Sequence, residues 1–251
     1  MLFNTPGHTV DVKAFPKQYI HPKVDFNIRL RQVKDTKKIL VLSMSANYPI
    51  YNELEKVSNE TWRNIDKEKY SNIEFWTYTD AEKGENTHVD IKNHIIYIKK
   101  NYDENGFYHT FSKTIFAFKE LEKLNVEYDY VLRTNNSTWI NLPLVNEFLS
   151  YQYDDSQIYC GRLYSSFWSA FNLYGGGELM IFSKRNIDII CNYIKDPIQF
   201  EKEHAGCDDN LIFGLWNKRL LDLKLYQSDF IHSFEDEILI NKTIDKDIDF
   251  T

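Results

Sequence analysis

At 251 residues, 43% hydrophobic and 16% aromatic, the chain can bury one large core or two small ones, which argues against a disordered chain. Its formal charge of −7 comes from interleaved acidic and basic residues, which argues against a duplex nucleic-acid binder with its basic face. Three cysteines, Cys160, Cys191 and Cys207, are too far apart for a disulfide framework or a zinc pair and read as reduced thiols.

The first 36 residues are polar and broken by Pro6, Pro16 and Pro22, and read as an irregular arm. They lack the basic-then-apolar layout of a signal peptide, and no apolar run reaches a membrane-spanning length, so a soluble cytoplasmic protein is expected. Ile39-Leu40-Val41-Leu42-Ser43-Met44-Ser45 is the continuous apolar run of a strand buried on both faces. Ile50, Leu54, Val57, Trp62 and Ile65 then recur with helical spacing over 50–66. Residues 73–78 and 95–98 read as strands, and 107–124 as a long helix with Phe111, Ile115, Phe118, Leu121 and Leu124 on one side. A further strand is expected over 128–132, a helix over 141–151 and a strand over 158–162. Buried strand alternating with helix predicts an α/β fold with a mostly parallel sheet flanked by helices.

In such sheets ligands gather at the carboxyl ends of the strands. The stretch Asn135-Asn136-Ser137-Thr138 follows the strand at 128–132 directly. It reads either as a plain turn, since these are ordinary turn residues, or as polar groups delivered to a ligand crevice. Two overlapping glycosylation sequons fall here, at Asn135 and Asn136, but apolar flanks on both sides disfavour a glycan acceptor. Further on, Gly175-Gly176-Gly177 leads into an apolar strand and then a helix over 184–195. Glycines there permit either a tight turn or close approach of the backbone to a ligand. Asp208-Asp209 open an amphipathic helix bearing Leu211, Ile212, Leu215 and Leu220. They serve either as N-terminal capping carboxylates or as a pair with one member placed as a general base.

Taken in order, these signals resemble the GT-A class of nucleotide-sugar glycosyltransferases, and within it the β-1,3-galactosyltransferase and fringe family. The resemblance covers roughly residues 38–220 and rests on Glu60-Thr61-Trp62-Arg63, Tyr108 to Thr114, Arg133 to Asn141, Gly175 to Ser183, and Asp208-Asp209 ahead of Gly214. It implies a GT-A type, Rossmann-like domain over 37–232 between an N-terminal arm (1–36) and a C-terminal tail (233–251). It also implies inverting transfer of a sugar from a nucleotide-sugar donor, a UDP-sugar, to the hydroxyl of a glycan or glycosylated acceptor. Asp209, or Asp208, would remove the acceptor proton. Ser43, Ser45, Asp80, Lys113, Arg133, Asn135, Asn136 and Ser137 would bind the donor, and Gly175, Gly176, Gly177 and Trp168 the acceptor or sugar. Tyr164, Phe167 and Trp168, in a loop at 163–173, are either an apolar platform for a sugar ring or core.

The family's triplet normally supplies aspartates to a divalent ion, manganese or magnesium. Here Asn135-Asn136-Ser137 carries no carboxylate. Three outcomes stay open. The enzyme is metal-independent, with Arg133, Lys113 or another cation facing the leaving group. It holds a metal through other residues, with Ser137 and His232 as candidates. Or it is a catalytically inactive nucleotide-sugar or glycan-binding module. A dinucleotide enzyme is discarded, because Ser43 to Tyr51 contains no glycine, and no P-loop signature exists. The Asp- and Ile-rich tail either packs as an arm or mediates homo-oligomerisation.

Overall fold

The computed structural model describes residues 34–99, 110–151, 158–161, 163–165, 173–175, 179–203, 224–227 and 231–233. At its centre lies β1 (Ile39–Met44), whose unbroken apolar run is buried on both faces. On one side β1 pairs in parallel with β2 (Ile73–Asp80), which pairs in parallel with β4 (Ile95–Ile98), and the short β3 (His88–Asp90) closes that edge antiparallel. On the other side β1 pairs in parallel with β5 (Tyr130–Asn135).

Beyond β5 the sheet changes direction. β10 (Leu179–Ser183) runs antiparallel to β5 and to β7 (Ile158–Gly161), and β11 (Lys224–Gln227) completes an eight-stranded sheet in the order β11-β7-β10-β5-β1-β2-β4-β3. Two small ribbons stand apart: β6 (Thr138–Ile140) with β12 (Ile231–Ser233), and β8 (Leu163–Ser165) with β9 (Leu173–Gly175).

Helices cover both faces. On one face α2 (Thr110–Lys123) and α4 (Lys184–Tyr193) bury Phe111, Ile115, Phe118, Leu121, Ile187 and Ile190 against Leu40, Leu42, Val131 and Phe182. Phe118 meets Phe182 edge-on at 5.7 Å between ring centroids. On the other face α3 (Leu142–Ser150) sets Leu142, Val145 and Leu149 against Ile39, Val41, Leu132 and Ile181. Asn141 starts α3 by accepting the amide of Leu144 on its side chain, with Leu142 and Pro143 filling the first turn. The free thiol of Cys191 is on the buried face of α4, and burial pushes it far above its ordinary range.

The α/β fold with helices on both faces matches expectation, and four particulars differ. The strand expected to end at Leu132 continues to Asn135, because β1 and β10 grip it from both sides and leave its backbone no freedom to turn. The helix expected over 50–66 is α1 (Pro49–Glu60). Trp62 leaves it to bury its ring edge-on against Phe75, at 6.2 Å. The segment 163–173, expected as a loop, begins and ends in strands, with Tyr164 opposite Tyr174. Gly175 closes β9 rather than opening β10.

Phe118 is fully buried, so Phe118→Ala removes a large apolar side chain and leaves a void. Urea unfolding of this variant is expected to show a loss of about 3–5 kcal/mol with an unchanged denaturant slope.

Candidate active site

The chain runs outward from β1 to β2 and β4, then crosses back to β5 on the other flank of β1. The junction of β1 and β5 is therefore a topological switch point, where open α/β sheets form their ligand crevice. Met44 stands at one lip, Asn135 at the other, and Asp80 at the end of β2. The amino end of α2 forms the wall. Its first amides are capped from another helix, α5 (Pro197–Glu203): Glu201 accepts from the Phe111 and Ser112 amides, both at 3.2 Å.

That cap fixes Lys113, one turn into α2. Its Nζ lies 3.0 Å from Asp80 Oδ1 and donates to the Ser45 carbonyl at 2.8 Å. The pair is only partly exposed, so its attraction is screened less than a surface ion pair's. One cation thus ties the ends of β1 and β2 to α2.

Asn136 ties in β5. It is 2% exposed, and both ends of its amide are used inside the protein. Nδ2 donates to Ser45 Oγ at 3.0 Å, and Oδ1 accepts from Arg63 Nη2 at 3.5 Å. Its backbone amide donates to the Met44 carbonyl, and its carbonyl accepts from Ser58 Oγ. Behind it, Arg63 stands 3.8 Å from Glu55 and lies over the Trp62 ring. Burial pushes the Arg63 guanidinium down and Glu55 pulls it back, and a guanidinium remains charged throughout the accessible range. Glu55 also accepts from Thr77 Oγ1 at 3.2 Å.

Arg133 is the largest fully buried side chain among the described residues, at 0% exposure. It lies beneath the crevice, donating from Nε to Tyr78 Oη at 3.0 Å, and Tyr78 Oη in turn meets Thr114 of α2 at 2.8 Å. Ser43 is enclosed between Thr77 and Thr134 of the neighbouring strands, and its hydroxyl finds no partner among the described residues. The Asn135 Oδ1 atom is likewise buried without a partner there, while Ser137 is exposed at the tip of the turn.

The sequence-derived candidates Ser43, Ser45, Asp80, Lys113, Arg133, Asn135, Asn136 and Ser137 therefore converge on one end of the sheet, in different settings. Asp80, Lys113, Asn135 and Ser137 border the crevice, whereas Ser43, Arg133 and Asn136 are enclosed below it. Trp168, Gly176, Gly177, Asp208 and Asp209 lie outside the described residues. The backbone of His232 pairs with Trp139, two residues beyond Ser137. Arg63 and Glu55 escaped sequence reasoning as members of the site, although Glu55, Asn59 and Arg63 recur at the four-residue interval that brings side chains together on a helix.

A divalent ion does not fit the described donor set. Among the described residues Asn136 Oδ1 is engaged by Arg63, the carboxylates of Asp80 and Glu55 already face cations, and the remaining oxygens, on Asn135 and Ser137, are neutral. No group of three His, Cys, Asp or Glu residues that could hold a metal exists among the described residues. No described helix is long and apolar enough to cross a membrane.

Asn136→Ala should lower the unfolding free energy by about 1–3 kcal/mol, because it strips a buried partner from Arg63 and Ser45. Asn136→Asp should cost less, since Arg63 neutralises the new carboxylate while the Ser45 hydroxyl turns to donate. Equal losses for the two variants in urea titrations would count against the Arg63 contact.

No family model and no curated protein matches the chain. Among solved structures it is similar to a glycosyltransferase involved in glycosylation of the major capsid of PBCV-1, with TM-score 0.45 and 11% identity over 76% of this chain and 81% of that one. It is similar to the mannosyltransferase PcManGT of Pyrobaculum calidifontis, solved with GDP-Man and Mn2+, with TM-score 0.42 and 9% identity over 80% of this chain and 57% of that one. It is also similar to the glycosyltransferase GlyE of Streptococcus pneumoniae TIGR4, with TM-score 0.42 and 15% identity over 77% of this chain and 46% of that one. These solved structures are glycosyltransferases, and the likeness is one of fold.

Proposed function

We propose that the chain is a glycosyltransferase that takes a sugar from a nucleotide-sugar donor, a UDP-sugar, and transfers it with inversion to an acceptor hydroxyl. The observation that carries this reading is the convergence, at the switch point between β1 and β5, of a fixed ammonium with Asn135 and Ser137 of the neutral triplet. A diphosphate leaving group needs positive charge beside it as its bond to the sugar breaks. Lys113 supplies that charge without a metal, held in place by the capped end of α2. Ser137 offers an exposed hydroxyl that both donates and accepts, as sugar hydroxyls do.

In the proposed step the acceptor oxygen forms its bond to the anomeric carbon while the bond from that carbon to the diphosphate oxygen breaks. The acceptor's proton passes to a carboxylate, for which Asp209, with Asp208 beside it, is the candidate. The glycine run Gly175-Gly176-Gly177 and Trp168 are the candidates for the sugar-binding wall, and Asp80 orients Lys113. Arg133, Ser43, Ser45 and Asn136 act from beneath, as positioning groups. The second reading, a nucleotide-sugar-binding module without turnover, draws on the missing carboxylates of the triplet.

The test is thermal unfolding with a panel of UDP-sugars, each with manganese and with chelator. Binding to the native state at about a hundred times Kd adds roughly 2.7 kcal/mol of stability. The expected result is a rise in Tm that survives chelator and weakens about tenfold or more in ligand affinity on Lys113→Ala. No rise with any nucleotide sugar defeats the reading, and a rise abolished by chelator defeats its metal-independent form. Asp209→Asn should keep binding and lose transfer. Binding by the native chain with no product, over a range of acceptors, would select the second reading.

A further inference from the structure

A groove of about 880 Å³ runs beside α3, within the size range of ligand pockets. One wall is α3 itself. The other is formed by residues 34–36 ahead of β1 and 69–72 ahead of β2. Leu142, Val145 and Leu149 of α3 enter the core, so Asn146 and Glu147 are turned to the groove. Hydrogen bonds hold the three segments in place. Asn72 Nδ2 donates to Asn146 Oδ1 at 2.8 Å and to the Lys37 carbonyl at 2.7 Å, and the Asp35 amide donates to the Ser150 carbonyl at 2.9 Å.

The lining selects a chemical class. Its charged residues balance, Lys34 and Lys69 against Asp35 and Glu147, so it offers no net charge to an ionic ligand. Thr36, Ser71, Asn141 and Asn146 carry hydroxyls and amides that both donate and accept. Tyr70, half-buried, and Leu144, 44% exposed, add apolar surface. A neutral ligand rich in hydroxyls, with an apolar ring face, matches this combination.

The groove also reaches toward the crevice. Ser137, Trp139 and Asn141 alternate with the buried Asn136, Thr138, Ile140 and Leu142, so they form an outward strip along β6. Trp139 is 43% exposed on that strip. Four residues separate Asn141, in the groove, from Ser137, at the crevice, a span of at most about 14 Å.

We propose that the groove beside α3 binds a neutral oligosaccharide, and that this is the glycan part of the acceptor, led to the crevice across Trp139. The binding stands on the groove alone, whereas the role as an acceptor track rests on the transferase reading.

The full chain is titrated calorimetrically with neutral oligosaccharides built from glucose, galactose, mannose or N-acetylglucosamine, and with inorganic phosphate. At least one oligosaccharide is expected to bind and to slow amide exchange over 69–72 and 141–150. Tyr70→Ala with Asn146→Ala is expected to weaken that binding roughly tenfold, since it removes a ring face and an amide from the groove. Should that variant fail to fold, the exposed Leu144→Asp decides, with an expected loss of about threefold or more. Absence of oligosaccharide binding overturns the proposal, as does binding unchanged in a folded groove variant. Phosphate in place of oligosaccharide, slowing the same amides, assigns the groove to ions and overturns it too. The two readings fail separately: a chain that binds no nucleotide sugar yet holds an oligosaccharide in the groove defeats the transferase reading and keeps the site. With transfer established, the groove variants should raise KM for an oligosaccharide acceptor and leave kcat, and KM for a monosaccharide acceptor, unchanged. Equal changes for both acceptors overturn the track.

Discussion

β5 is gripped in parallel by β1 and antiparallel by β10, and the rest of the crevice depends on that two-sided ladder. A strand paired on both edges cannot turn where its side chains become polar. The chain therefore carries Arg133, Thr134 and Asn135 into the sheet, and strand alternation sends them to opposite faces. Arg133 falls on the face covered by α2, where an unpartnered guanidinium would be costly, and Tyr78 and Met44 meet it there. The turn comes only at Asn136, after both flanking strands have ended.

From that constraint follows a chain of contacts across the floor of the crevice. Glu55 holds Arg63, Arg63 holds Asn136, Asn136 holds Ser45, and Ser45 with Asp80 holds Lys113. Each carboxylate in the series faces a cation, and the asparagine between the two ion pairs is neutral. Isolated partly buried ion pairs add little net stability, because desolvation offsets attraction. Their use here is geometric: five separate segments, α1 with its following turn, β1, β2, α2 and the β5–β6 turn, are fixed relative to one another at the place where the sheet opens. A carboxylate triplet with a divalent ion would organise the same place by charge from the centre. Among the described residues, Arg63 and Lys113 organise it from the rim.

α1 is the counterpart on the outer surface. Its sequence has the spacing of a core-packed helix, yet the core is entered by Trp62, just beyond its end, while Ile50 and Val57 look outward. The Trp62 ring fills the space against Phe75 and leaves the helix body to one side. An apolar stripe at helical spacing can thus lie inward or outward, and spacing alone does not distinguish the two.

The sequence by itself determined the types of the central strands and of the helices beside them, because continuous apolar runs and helical spacing are local signals read within a few residues; the strands at 163–165 and 173–175 it read as a loop. It also determined that Ser45, Asp80, Lys113 and the triplet would share one end of a sheet, because parallel strands deliver their carboxyl ends together. What only the tertiary structure decided was which of those residues are enclosed and which are open. Asn135 and Asn136 are adjacent and chemically identical, yet Asn136 is consumed by Arg63 and Ser45, partners 73 and 91 residues away. The antiparallel β10 that holds β5 as far as Thr134, and the Glu201 cap that fixed Lys113, are likewise long-range pairings. Local patterning carries no record of such partners, since the energy that selects them exists only once the chain has brought them into contact.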